Sequence, residues 1–224
     1  MKKIIYIADP EILAMPIIEC HEPMLDLKDR TELQYGPPPE TPLTGPHYTR
    51  VRKTVFEKLC RAQQDLPQGW RFRIYEIFRS LEVQGMLFEE EYEQVVKKGL
   101  FKTHEEIFHE TTRLVSPVIN LDGSLNIPPH NTGSAVDVEL LDQNGELVDM
   151  GMEAKDCMFV DPELCMTDCD TLSQEIKHNR KILFDVMIKH GFINYPTEWW
   201  HYSYGDRYWA YHTNQPHAIY GPAE

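Results

Sequence analysis

Residues 134–150 constrain the fold more than any other stretch. Residues 134–141 (SAVDVELL) read as a strand, residues 142–145 (DQNG) as a tight turn, and residues 146–150 (ELVDM) as a returning arm. A hairpin of this kind belongs to an antiparallel sheet. The rest of the chain supplies helices and further strands. Residues 48–64 place Val51, Val55, Phe56, Leu59 and Cys60 on one helical face. Residues 71–78 (RFRIYEIF) alternate, with Phe72, Ile74 and Phe78 on one side and Arg79 at the strand end. Ser80 can cap a helix running to about Lys98, with Gly99 as its natural stop. Thr103 and Glu106 form a capping-box pattern, and Thr171 and Gln174 suggest another, opening a helix that ends at Gly191. Leu172, Ile176, Leu183, Val186 and Met187 give that helix a core face, while residues 157–170 read as loop. A final pair of strands is expected around 199–204 and 207–212, turning at Gly205–Asp206. The fold class that follows is α+β, with a central antiparallel sheet flanked by helices.

The 224 residues suit one domain. We read 1–224 as a single unit with residues 1–47 as an N-terminal extension packed on it. Residues 37–46 (PPPETPLTGP) are stiff and extended, and are placed over the domain surface, beside a site if one lies there. The net charge of −14 favours solubility and argues against nucleic acid or an anionic membrane as partner. The apolar run at 4–8 is stopped by Asp9 and Pro10, too short for a signal-peptide core, and nothing approaches the ~20 apolar residues of a membrane span. Five cysteines, an odd number, fit reduced thiols and a cytoplasmic location. Cys157, Cys165 and Cys169 lie near one another in the chain but lack the CxxC spacing of a zinc site.

Three segments carry ionisable residues in settings that suggest chemistry. In PPHNTGSAVDVEL (128–140), a turn at Gly133 would let His130 fold back beside Asp137. In EWWHYSY (198–204), Glu198 and His201 flank two tryptophans. Imidazole nitrogens and a carboxylate oxygen are good zinc ligands. Three of them leave a position open, as catalytic zinc sites do, and a carboxylate close by can take a proton from water there. In the third segment Arg79, with Glu76 to orient it, offers a forked donor for an oxyanion or carboxylate. Each residue also has an ordinary reading. Trp199 and Trp200 can be sheet core, and Arg79 can be a plain ion pair. His104, His109, His178, His190, His212 and His217 are taken as surface or capped positions. Spacing alone leaves a metal site and a purely structural role both open.

These residues resemble the D-alanyl-D-alanine dipeptidases, the VanX-like zinc peptidases of family M15. The family pattern is Ser-x-His-x-x-Gly-x-Ala-x-Asp followed by Glu-x-x-His. Here His130, Gly133, Ala135 and Asp137 match the first part, and Glu198 and His201 the second. The run Val148-Asp149-Met150-Gly151 and the strand-terminal Arg79 also match, so the resemblance spans about residues 48–212. It implies one Zn2+ per chain held by His130, Asp137 and His201 at the sheet. It also implies Glu198 as general base and then acid, and Arg79 as oxyanion stabiliser. The implied substrate is the small dipeptide D-Ala-D-Ala. The alternative is a D,D- or L,D-carboxypeptidase acting on longer peptidoglycan stems, or a zinc module without activity. Three positions depart from the pattern. Pro128 stands where serine is usual. Phe78 and Ser80 flank the arginine in place of tyrosine and proline. Residues 152–155 (MEAK) replace Thr-Pro-Phe-Asp.

Overall fold

The structure, a computed structural model, describes residues 4–39 and 46–223. A five-stranded sheet organises the chain: β2 (Gln34–Tyr35), β4 (Arg71–Glu76), β5 (Ala135–Leu141), β7 (His201–Ser203) and β6 (Ile193–Asn194), in that spatial order. The β2–β4 pair is parallel and the other three are antiparallel. A second, two-stranded sheet pairs β1 (Met24–Asp26) with β3 (Arg50–Arg52). The chain is thus the α+β domain expected, a mainly antiparallel sheet flanked by helices.

One sheet face packs Phe72, Ile74, Val136 and Val138 against α2 (Lys53–Gln63) and α6 (Gln174–Lys189). These side chains alternate along their strands with the residues of the opposite face, as the pleat requires. That other face carries Asp137 and His201. Gln84 and Leu87 of α3 (Leu81–Lys98), with residues 114–116 beyond α4 (His104–Thr111), border a cavity there. The Ser80 and Thr103 caps form as the sequence suggests: Ser80 Oγ accepts from Val83 N, and Thr103 and Glu106 make a reciprocal capping box. The hairpin arm after β5 exists only as a bridge, Leu141 with Leu147.

Four expectations are corrected. The helix at 48–64 begins at Lys53, because Val51 is taken into the β1–β3 pair. The cap of α6 is Ser173, whose Oγ accepts from Ile176 N, not Thr171. Strand β4 does not alternate to Phe78. Ile74 pairs with Val138 but Glu76 with Asp137, so Tyr75 is the extra residue of a β-bulge. Finally, residues 207–212 are not a strand. They form α7 (Arg207–His212), capped by Asp206 accepting from Trp209 N, and β7 finds its partners in β5 and β6. Of the proline-rich segment, residues 40–45 lie outside the described residues, while Pro39 borders the cavity.

Gly205 makes the turn between β7 and α7. Its φ is +83°, and its carbonyl accepts from Ile219 N and Tyr220 N. A Cβ here would lie 2.5 Å from Cδ2 of the buried Tyr220 ring and 2.8 Å from Ile219 Cγ1. Gly205→Ala combines a left-handed backbone with overpacking. It should destabilise the fold by about 3 kcal/mol in urea unfolding.

Candidate active site

The strand register builds the site. Glu76 faces Asp137 across β4–β5, and Asp137 faces His201 across β5–β7. Directly opposed residues share a face, so the three form a row across the sheet. With unbroken alternation Glu76 would sit on the Ile74 side, in the apolar core. The bulge at Tyr75 turns it to the cavity.

His130 joins the row from a tight turn. Residues Pro129–Thr132 form one 3-10 turn that ends at Gly133, with φ +69°, and the chain then reverses into β5. This is the fold-back anticipated at Gly133. It brings His130 Nε2 to 3.4 Å from Asp137 Oδ2 and 3.2 Å from His201 Nδ1. His201 Nδ1 lies 3.0 Å from Asp137 Oδ1. His130 Nδ1 is 2.8 Å from the Ile77 carbonyl, which can only accept, so that nitrogen carries a proton. In the neutral ring Nε2 then presents a lone pair to the cluster, the orientation that a partner behind a metal-binding imidazole produces.

Glu198 and Arg79 line the same cavity beside the row. Glu198 Oε2 is 3.6 Å from His201 Nδ1. Asn194 clamps the intervening turn, its Nδ2 donating to the carbonyls of both Glu198 and His201. Trp199 and Trp200 are both buried, packed edge to face in the core, and Trp200 also reaches the cavity wall. Arg79 donates from Nε and Nη2 to Glu76 Oε2 at 3.1 and 2.5 Å, and from Nη1 to Gln84 Oε1 at 3.1 Å. Its Nη2 is 4.0 Å from Asp137 Oδ2. The structure therefore brings together all five residues singled out in the sequence. Gln84, Asn194 and Tyr195 were not anticipated. Gln84 alone had a local signal, lying just past one helical turn beyond the Ser80 cap, on Arg79's side.

The electrostatics divide the two site carboxylates. Burial works to raise the Asp137 pKa, but the imidazoles of His130 and His201 outweigh it and hold the group well below the usual carboxylate range. Glu198 goes the other way. Burial, then the negative charge of Asp137, push its pKa well up against the opposing pull of His130 and Arg79. For Arg79, burial disfavours the charge, but the adjacent Glu76 carboxylate more than offsets it.

Donor atoms of His130, Asp137 and His201 all lie within 4.8 Å of one another. Two imidazole nitrogens and one carboxylate oxygen, converging on a point beside a cavity, fit a divalent metal with a position left open. The cavity encloses about 80 Å3.

A protein-family model described as D-ala-D-ala dipeptidase matches residues 49–220. A D-alanyl-D-alanine dipeptidase of Synechocystis sp. is 29% identical over 239 residues, covering 95% of this chain and 96% of its own. Among solved structures, the LdcB LD-carboxypeptidase gives a TM-score of 0.44 at 14% identity, over 88% of this chain and 76% of its own. VanYB in complex with D-Ala-D-Ala gives 0.42 at 17%, over 74% and 79%. The D,D-pentapeptidase VanY in complex with Zn(II) gives 0.41 at 16%, over 74% and 80%.

The buried ion pair under the site can be tested directly. Glu76 is 1% exposed, and its Oε2 accepts two of Arg79's three hydrogen bonds. Glu76→Gln keeps the shape but leaves a buried guanidinium without its carboxylate. Chemical unfolding should show a loss of about 3 kcal/mol.

Proposed function

We propose that this chain, a metallopeptidase belonging to the D-Ala-D-Ala dipeptidase family, hydrolyses the dipeptide D-Ala-D-Ala with zinc held by His130, Asp137 and His201. The observation that carries this reading is the convergence of those three donors at a cavity also lined by Glu198 and Arg79. When bound, zinc supplies Lewis acidity, polarising the scissile carbonyl and lowering the pKa of water to about 7. Glu198 takes the proton of the attacking water and passes it to the leaving amine. Its carboxylate is within 3.6 Å of His201, so it reaches the same point as the proposed ligands. Burial and the charge of Asp137 raise the Glu198 pKa above the usual carboxylate range, which makes it a stronger proton acceptor than a free carboxylate. Arg79 stabilises the oxyanion. A guanidinium has five N–H donors; three are engaged by Glu76 and Gln84, leaving two for the substrate.

The cavity size supports a dipeptide over a longer stem. The cavity of about 80 Å3 favours a small substrate over an extended one. A carboxypeptidase acting on stem peptides needs an open groove, whereas Pro39 and Ile7 border this cavity from the N-terminal side. We accordingly treat residues 1–224 as one catalytic unit, with the described residues before 48 packed into it. Strand β2 adds to the sheet edge, and Leu27 and Leu33 join the main core. No helix among the described residues is long and apolar enough to cross a membrane. The odd number of cysteines supports a reducing, cytoplasmic setting.

Two substitutions separate the proposed roles. Glu198→Ala should keep one zinc per chain and lose activity on D-Ala-D-Ala by about 10³-fold or more, measured as D-alanine release. Substantial residual turnover would remove Glu198 as base. His201→Ala should lose stoichiometric zinc in elemental analysis, and a full metal complement would remove it as ligand. The wild-type protein should release D-alanine from the dipeptide, stop when a chelator is added, and leave a pentapeptide stem intact.

A further inference from the structure

Ile7 lies outside the region matched by the family, yet it borders the same cavity as Glu198, His130 and Tyr195. Its segment is held in place by several independent contacts. Tyr6 and Asp9 close a turn on themselves, with Asp9 N donating to Tyr6 O and Tyr6 N to Asp9 Oδ2, each at 3.0 Å. Helix α1 (Pro10–Leu13) follows and buries Ile12. Tyr208 OH donates to Ile5 O at 3.2 Å. Ile7, Ile12, Tyr195 and Tyr208 form one apolar cluster, distinct from the main core.

Tyr195 is the hinge between this cluster and the site. Its hydroxyl donates to Thr112 O at 3.0 Å and accepts from Ile7 N at 3.4 Å. Its ring packs edge-on against His201, centroids 6.0 Å apart, and its carbonyl accepts from Glu198 N. Tyr195 therefore links Ile7, at its hydroxyl, to Glu198, at its carbonyl, and all three line the one cavity. On the reading proposed above, Glu198 delivers the proton to the leaving amine, so the leaving residue occupies that side. We infer that Ile7, seated on Tyr195, is the back wall of the pocket for the leaving residue and restricts that residue to a small side chain.

The test uses the full-length, zinc-loaded protein with D-Ala-D-Ala, D-Ala-D-Val and D-Ala-D-Leu. Ile7→Ala removes three carbons from the wall. It should raise the ratio of kcat/KM for D-Ala-D-Leu to that for D-Ala-D-Ala by about tenfold or more, since each methylene accommodated in an apolar pocket is worth 10-fold upward. Ile7→Phe should raise KM for D-Ala-D-Ala itself. If Ile7→Ala does not fold, Ile7→Val carries the test, with a smaller gain confined to D-Ala-D-Val. The same ratios should appear as binding by calorimetry in a Glu198→Ala background, where substrate remains intact. Ratios unchanged within twofold, with wild-type protein cleaving D-Ala-D-Ala, would overturn the wall and leave the dipeptidase reading standing. A wild-type protein that cleaves no dipeptide would overturn both.

Discussion

The site depends on one row of opposed residues, Glu76, Asp137 and His201, fixed across three neighbouring strands by backbone pairing. A sheet register is a strong constraint, because a slip of one residue would exchange Asp137 for Val136 or Val138 and bury the carboxylate in the apolar core. Everything else at the site is arranged around that row. His130 reaches it by the turn at Gly133, and Arg79 by its ion pair with Glu76. Charge shows why the row suits a metal. Glu76, Asp137 and Glu198 are three carboxylates, all nearly buried, facing the single guanidinium of Arg79. Fully ionised, they carry an excess of two negative charges, which a divalent cation would balance. Without such a counter-charge, burial and Asp137 push Glu198 toward its protonated form.

A second buried cation supports the site from behind. Arg180 of α6 is 3% exposed and has no carboxylate partner among its hydrogen bonds. Its guanidinium donates instead to the carbonyls of Met150, Leu164 and Met166. It also stacks over Trp199, 5.4 Å from the ring centroid. Burial lowers its pKa to about 10, which still leaves it charged at neutral pH. The effect is mechanical. Residues 150–166 are a long connection with little regular structure, and three of its carbonyls converge on one fixed fork. Ala154, Cys157 and Met158 of this connection border the cavity. Its Cys165 carbonyl accepts from Trp199 N, next to Glu198. One side chain thus ties a cavity wall and the Glu198 turn to the same helix.

Much of this was legible in the sequence, for local reasons. Strand β5, the Ser80 and Thr103 caps, and the Gly133 turn each follow from residues adjacent in the chain. So did the five site residues, because two short segments and a strand end carry them. What escaped was non-local or finer than a period. The Tyr75 bulge inserts one residue, and period-two counting cannot detect an insertion that leaves apolar residues on both sides of it. Residues 207–212 read as a strand because Tyr208, Trp209 and Tyr211 have high strand propensity. Asp206 as an N-cap and the pull of the Ile7–Tyr195 cluster decide for a helix. Asn194 gave no signal, since its role is to hold a turn whose shape is visible only once folded. The contact of Ile7 with Tyr195 spans 188 positions and no local pattern encodes it.

The departures from the family pattern take on physical meaning in the fold. Pro128 sets the entry to the His130 turn, with φ −63°, and Pro129 continues it at a position where a missing amide hydrogen costs nothing. Thr132 Oγ1 closes the turn by donating to Pro129 O at 2.6 Å. Where a serine would offer a hydroxyl, two prolines offer a preset backbone, so His130 is held by its own chain as well as by the Ile77 carbonyl. Ser80, in place of a proline after Arg79, caps α3 and so fixes the helix that presents Gln84 to Arg79. Each substitution conserves the position of a site residue while altering what surrounds it. The row on the sheet leaves the pocket walls to other elements, and connecting segments around residues 114–116 and 154–158, with Ile7 and Pro39, supply them.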